Sequence, residues 1–314
     1  MLAAIVVLVS AAIMPMSRGF GQHGDEVSCP ASAVATAHDD YEAQVERRRA
    51  AYEASLRSLD GYLAVVGLFF LEDGPNVFGA DAAGRVVLPD GSAPGRVGVF
   101  DFQDGRVFYR IERPGLALLN GRTTLSGELR PLGPGVPTPD RLSIGRLSLS
   151  VHRSGSRVAI RVRDPQSPFL RDYRGSRWYP IDRVWRIDAR FVAHATPRRL
   201  EIPNVLGDVQ VFESPGYAEF EVRGERLRLE AASYEPDGRV WFVFRDRTAG
   251  QTTYPAARFL YADPPRDGGI VLDFNDARNP PCAFNPFTTC PNPPPGNVLP
   301  VAIEAGQLAD LEGR

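Results

Sequence analysis

Carboxylate, guanidinium and phenol side chains recur near the C-terminal third of the chain at strand spacing. Asp273 and Asn275 alternate with Ile270, Leu272 and Phe274, which puts the two polar groups on the face opposite the apolar ones. Glu304 alternates in the same way with Val301 and Ile303. If Arg161, Asp164, Tyr254 and Arg258 converge on those polar faces, the result is a carboxylate–guanidinium–phenol cluster. A carboxyl raised toward neutrality in such a cluster serves as general acid or base, and arginine holds an anionic substrate. Asp273, Glu304 and Asp164 are therefore the candidate catalytic groups. Arg161, Tyr254, Arg258, Asn275 and Asn279 are the candidate ligand-binding groups. The competing account is a buried ion-pair network that satisfies only its own charges.

Other chemistries fare worse. A Ser-His-Asp hydrolase would need His152 or His194, and neither stands beside a nucleophile-elbow sequence. Four scattered histidines (His23, His38, His152 and His194) supply no ligand cluster, so no metal is expected. All 36 basic residues are arginine, which removes lysine Schiff-base and lysine general-base mechanisms. It also makes fork-like, bidentate ion pairs the expected kind. No G-x-G-x-x-G or phosphate-cradling loop is present, and no cofactor is expected.

The elements that must position these groups are mostly strands. One helix is predicted over about Asp39–Leu59, from Tyr41, Val45, Tyr52, Leu56 and Leu59 near helical spacing. His38-Asp39-Asp40 reads as its N-cap, Asp60-Gly61 as its end, and Arg47–Arg49 as a solvated face. Residues 62–71 read as a buried strand or a pair of short elements. Asp-Gly turns recur at residues 73, 90, 104 and 237, two of them serving Val97–Phe102 with Val107–Ile111 and the approach to Val240–Phe244. The clearest hairpin joins Leu147–Val151 to Val158–Val162, and a second joins Ala218–Val222 to Leu227–Ala231. The fold class is therefore mainly β, an antiparallel sandwich or partly closed barrel with one N-terminal helix. The Pro-rich run Asn279–Pro300 cannot be helix interior or central strand, yet it carries Ala283, Phe284 and Phe287. It is expected to be an ordered coil pinned across a sheet face or barrel mouth.

By this point several segments are recognisable together. Leu272-Asp273-Phe274-Asn275, Asn279-Pro280-Pro281-Cys282-Ala283-Phe284, Thr289-Cys290-Pro291, Asn297-Val298-Leu299-Pro300 and Ile303-Glu304-Ala305-Gly306 form one long signature. Earlier pieces fit too, among them Asp60-Gly61-Tyr62-Leu63, Arg161-Val162-Arg163-Asp164 and Thr252-Thr253-Tyr254-Pro255. The set resembles the family catalogued as domain of unknown function 1684, over nearly everything after residue 37. The resemblance implies no established activity. Two departures stand out: Arg278 where an aromatic is usual, and Gln307 where the family tends to have Glu. Separately, Gly79-Ala80-Asp81 followed by Val86-Val87-Leu88-Pro89 resembles the opening of forkhead-associated domains, which read phosphothreonine. Ala80 stands where that reader needs arginine, and residues 93–98 hold no histidine, so the segment reads as a β-turn and strand.

Length and composition bound the rest. With 314 residues, 43% hydrophobic and 24% charged, the chain has globular composition and room for one large or two ordinary domains. A net charge of −2 argues against a phosphate-neutralising nucleic-acid binder. Leu2–Met16 is apolar apart from Ser10, too short for an integral span but fitted to a secretory h-region. Residues 1–21 are read as a signal peptide, 22–37 as a linker, and 38–314 as a single large or two closely packed β domains, with a possible boundary near 140. The expected location is periplasmic or secreted; the alternative is cytoplasmic with a start placed too far downstream. In an exported chain Cys282 and Cys290 are expected to bridge, leaving Cys29 unpaired; in a cytoplasmic one they are small buried side chains. The leading expectation is an exported β protein that binds an unidentified small or anionic molecule beside the Pro-rich coil. A hydrolase- or isomerase-like enzyme with a carboxylate acid/base and arginine anchors is the alternative, and a structural or interaction protein the third.

Overall fold

The computed structural model describes residues 31–133, 136 and 138–310, with the side chains of residues 31–39 outside that description. The expected leader over residues 1–21 and Cys29 lie outside the described residues. The chain divides into Met1–Asp40 and Tyr41–Arg314, and the contacts described below belong to the second unit.

Helix α1 runs Ala31–Arg57. It starts ahead of the expected Asp39, so residues 38–40 lie within it and not at its N-terminus, and the segment read as linker is helical from Ala31 onward. The alanines over residues 31–37 explain the difference, because alanine is the strongest helix former. Tyr41, Val45 and Leu56 are buried along one stripe, whereas Leu59, past the helix end, is exposed.

Eleven strands follow, forming the first sandwich: β1 (Val65–Phe70), β2 (Gly74–Gly79), β3 (Val86–Val87), β4 (Gly98–Gln103), β5 (Arg106–Ile111), β6 (Leu118–Leu119), β7 (Arg122–Thr123), β8 (Ser126–Glu128), β9 (Leu142–Ile144), β10 (Leu147–Ser154) and β11 (Arg157–Arg163). One sheet has the order β1-β11-β10-β9-β6-β7 and the other β3-β2-β4-β5-β8. Asp104 and Gly105 both take positive φ, which lets β4 and β5 close a tight hairpin. Strand alternation sends Leu147, Leu149, Ile160 and Val162 into the core, where Phe78 stacks on Phe100 with ring centroids 4.2 Å apart. The boundary expected near residue 140 falls inside this sandwich. The run of Pro and Gly there looks like a linker, but Asp140 is buried and accepts from Asn120 and Arg130 at 2.8 Å each, tying the connection down.

After the short helix α2 (Pro168–Asp172) come β12 (Arg186–Pro203), β13 (Val209–Val222), β14 (Glu225–Glu230), β15 (Ser233–Tyr234), β16 (Val240–Phe244), β17 (Arg258–Ala262) and β18 (Gly269–Asp273). They form sheets of order β14-β13-β12-β18 and β15-β16-β17. The pairing is antiparallel everywhere in the named strands except between β2 and β3. The fold is thus mainly β and sandwich-like, and the barrel alternative is not what the chain forms.

The Pro-rich coil, together with the residues after it as far as Gly306, crosses this second half as an ordered strap. Leu299, Val301, Ile303 and Ala305 sit in the same core as Phe220, Phe242, Leu260 and Leu272. Backbone bonds pin it beside the exit of β16: Arg245 N–H donates to Asn297 O at 3.0 Å, Leu299 N–H to Arg245 O at 2.7 Å and Arg247 N–H to Val301 O at 2.9 Å. The buried Asn297 amide donates to Glu230 O and Val243 O, both at 2.8 Å, and accepts from Glu230 N–H. Gly306 ends the strap with φ 81°, where an added Cβ would lie 2.4 Å from Ala277 O.

Beneath the strap lies Arg258, with 1% of its surface exposed. Its guanidinium pairs with Asp246 at 3.1 Å and donates to Ala305 O at 2.5 Å and Ile303 O at 3.1 Å. Asp246 in turn accepts from Ile303 N–H and Thr248 Oγ1. A buried charge pair is tolerable only when its remaining hydrogen-bonding capacity is also met, and here the strap carbonyls meet most of it. Removing the cation strands the anion. Arg258→Ala is therefore expected to lower stability by about 3–5 kcal/mol, read from the midpoint of urea unfolding. A loss below about 1 kcal/mol would contradict this assignment.

Candidate functional site

The sequence-predicted acid Asp273 closes β18 and caps the 3₁₀ turn Phe274–Asp276 by accepting from Asn275 N–H. Helix α1 packs over it. Residues 41, 45, 48 and 52 share one helical stripe, so the face that buries Tyr41 and Val45 also delivers Arg48 and Tyr52. Tyr41 donates its phenol proton to Asp273 Oδ1 at 2.9 Å. Arg48 reaches two carboxylates: its Nη2 lies 2.8 Å from Asp273 Oδ2, and its Nε bonds Asp276. Asn275 is fully buried between them, and its amide donates to Tyr41 Oη, Asp273 Oδ1 and Asp182 O. Arg49 secures the turn from the helix side, donating to Asn275 O at 2.9 Å and stacking 4.6 Å above the Trp178 ring. Arg48 and Arg49 are thus working contacts, not the solvated face expected of residues 47–49.

A carboxylate–guanidinium–phenol cluster does form at Asp273, with Tyr41 and Arg48 as partners. Burial pushes the Asp276 carboxyl above its ordinary range; Arg48 opposes this and the Asp273 charge adds to it. Burial, and then the Asp273 charge, holds the Tyr41 phenol well above its usual range. The cluster opens onto a cavity of about 610 Å³ whose wall also carries Arg239, Tyr261 and Arg278. A second cavity of about 400 Å³ shares those three residues and adds Tyr52, Glu235 and Asn279. Burial pushes the Glu235 carboxyl up.

Arg278 stands between the two cavities. Its guanidinium carbon lies 4.6 Å from the Tyr52 ring centroid and 5.1 Å from that of Tyr261. Its Nε is buried with no hydrogen-bond partner, and among the described residues no carboxylate comes within ion-pair distance. The Tyr261 face is shared with Arg239, at 5.1 Å.

The remaining sequence candidates are dispersed. Arg258 is sealed under the strap and cannot meet a ligand. Tyr254 donates to Cys282 O at 3.1 Å. Glu304 is exposed, 3.4 Å from Arg223 at the rim of a separate cavity of about 380 Å³. Asp164 is buried and holds Arg146 at 2.9 Å and the Gln166 amide. Arg161 lies on the outer face of β11. Asn279 has its side-chain nitrogen on Leu308 O and its backbone N–H on Gln307 Oε1, with its Oδ1 unpartnered. These groups were expected to converge because alternation shows which face a residue takes but not which sheet that face meets. Gln307 uses both ends of its amide, the oxygen accepting from Asn279 N–H at 2.8 Å and the nitrogen donating to Ser176 Oγ at 2.6 Å. No disulfide joins Cys282 and Cys290, so the expected bridge is not formed; Cys282 N–H donates to Cys290 Sγ at 3.2 Å, and the Cys282 thiol together with burial pushes the Cys290 thiol up. Among the described residues no three His, Cys, Asp or Glu side chains group as metal ligands, and no helix is long and apolar enough to cross a membrane.

The family model described as Protein of unknown function (DUF1684) matches residues 171–307, which include β12–β18, Asp273, Asp276, Arg278 and the strap. The chain belongs to that family. The match is narrower than the motifs suggest, since it leaves out the first sandwich. Among solved structures, this DUF1684 chain is similar to an uncharacterised protein of Haloarcula marismortui at 32% identity. That likeness covers 48% of this chain and 84% of the other, with a TM-score of 0.40. It is also similar, at 16% identity and a TM-score of 0.21, to the FhaA FHA domain, covering 31% of this chain and 97% of that one. No curated protein matches.

The raised Asp276 carboxyl has a consequence for stability. A carboxyl whose pKa is higher folded than unfolded holds a proton that the unfolded chain has already lost, so its contribution is full below the unfolded value and fades as pH rises through the folded one. Asp276→Asn is expected to flatten that decline in urea titrations between pH 4 and 7. Tyr41→Phe, which strips Asp273 and the Asn275 amide of one partner, is expected to cost about 1–2 kcal/mol. An unchanged pH profile in the first variant would contradict the assignment.

Proposed function

We propose that the paired cavities around Arg278 bind a small anionic organic molecule. The observation that carries this reading is the Arg278 guanidinium, which has no carboxylate partner among the described residues and is framed by the Tyr52 and Tyr261 rings where the two cavities meet. Arg258, the fully buried arginine of the second sandwich, by contrast spends its charge on Asp246. A planar fork between aromatic walls suits a carboxylate or phosphate held bidentately, with flat apolar matter against the tyrosines. The cavity volumes fall in the range of small-molecule sites, which runs roughly 300–1,000 Å³. Asp276, bonded to Arg48, lines the same cavity.

One observation favours a second reading, an acid–base enzyme of hydrolase or isomerase type. Burial raises Asp276, while Asp273 beside it accepts from Tyr41, and Arg48 bonds both; two neighbouring carboxylates in unlike surroundings are what an acid–base pair needs.

The test is a thermal-shift and calorimetric screen of mono- and dicarboxylates and phosphate esters against wild type and Arg278→Ala. A hit at a hundredfold excess over Kd is expected to stabilise the protein by about 2.7 kcal/mol, and Arg278→Ala to lose at least tenfold in affinity. Equal binding by the variant would overturn the proposal. For the second reading, Asp276→Asn is expected to keep the hit and abolish its turnover.

A further inference from the structure

The first sandwich turns a second kind of face toward the strap. Facing residues of β10 and β11 are Ser148 with Arg163, Ser150 with Arg161, and His152 with Ala159. Alternation buries Leu149, Val151, Ile160 and Val162 in the core on one side of this sheet, so Ser148, Ser150, His152, Arg161 and Arg163 share the other. The strap covers part of that side: His152 Nε2 and Thr289 Oγ1 lie 2.8 Å apart, and Asn285 donates to Tyr62 O at 2.5 Å.

Arg161 and Arg163 are cations without anions. Neither has a carboxylate within ion-pair distance among the described residues, and the Nε of each is buried with no hydrogen-bond partner. Arg163 makes one long contact, 3.5 Å to Ser150 Oγ, and Arg161 lies 5.9 Å from the Tyr62 ring. Asp60, whose charge reaches Arg163, is committed to Arg141, and Asp208, whose charge reaches His152, to Arg157. Burial, with the Arg161 and Arg163 charges, pushes His152 down to about 3, so the imidazole between them and the strap is neutral. Two guanidiniums two residues apart on one strand, about 6.6 Å between Cα atoms, repel each other and lack compensation.

We infer that Arg161 and Arg163, with the Ser148 and Ser150 hydroxyls, form a second anion site in the seam between the first sandwich and the strap. Its ligand is a tetrahedral oxyanion, phosphate or sulfate, free or as the head of a small ester. A planar carboxylate occupies one guanidinium fork; an anion with oxygens pointing in several directions engages both forks and the hydroxyls at once. This site is independent of the Arg278 cavities and stands on different residues.

The experiment titrates the full chain with inorganic phosphate at constant ionic strength, following melting temperature and calorimetric heat, and repeats it with sulfate and glycerol 3-phosphate. Wild type is expected to show a saturable rise of about 5 °C. Arg161→Gln is expected to melt near wild type without phosphate and to lose the rise, while Arg278→Ala keeps it. If Arg161→Gln fails to fold, Arg163→Gln, at the less buried position, is read in its place. Response to inorganic phosphate and sulfate alone assigns the free ion; an equal response to glycerol 3-phosphate assigns an ester head. No saturable response in wild type, or an undiminished one in both glutamine variants, overturns the site. Loss of the response in Arg278→Ala with its retention in Arg161→Gln overturns it too, and moves the anion to the Arg278 cavities.

Discussion

A single buried guanidinium decides where the C-terminal third of this chain goes. Arg258 sits under the strap with Asp246 as its counter-ion and the carbonyls of Ile303 and Ala305 as its acceptors. A desolvated ion pair is costly on its own and becomes tolerable only as its spare donors and acceptors are filled. The strap fills them, and Ile303, Val301 and Leu299 then complete the core of the second sandwich. Prolines that cannot enter a ladder are no obstacle, because the strap is held by side-chain anchors and a few backbone bonds.

That constraint explains why the charged residues divide between structure and site. Arg258, Asp246 and Asp164 are consumed by partners within the protein, and their fields are spent there. Asp273 and Asp276 receive Arg48 and Tyr41 from α1, which leaves a cavity wall with a raised carboxyl. Among the described residues, Arg278, Arg161 and Arg163 have no carboxylate at ion-pair distance, and the Nε of each is buried without a partner. In a chain whose only cations are arginines, most exposed ones pair with neighbours for little stability. The unpaired and partly buried guanidiniums are the informative ones, since their cost has no structural return.

Much of the architecture is legible in the sequence because strand alternation and turn chemistry are local. The Leu147–Val151 and Val158–Val162 hairpin, the Asp104-Gly105 turn and the Ala218–Leu229 pairing follow from residues a few positions apart. The strap is legible too, since its prolines forbid regular structure and its apolar residues forbid exposure. The site is less so. Asp273 and Asn275 emerge from alternation, but Tyr41 is more than 200 positions away on a helix whose burial partner no local pattern names. Arg48 shares the 41–45–52 stripe, and reading that stripe as apolar alone hides it. Arg278 stands out in the sequence as a departure from the family pattern, but that it lacks a carboxylate partner among the described residues is a property of the folded state.

The strap claim is tested most directly by native-state hydrogen exchange. The amides of Arg245, Arg247, Leu299 and Ile303, which bond across the strap, should exchange only through global unfolding, with protection equal to that of Phe242 and Leu260 in the β16–β17 ladder. Exchange of those four through a lower-energy opening, while the ladder stays protected, would mean that the strap is not part of the cooperative fold.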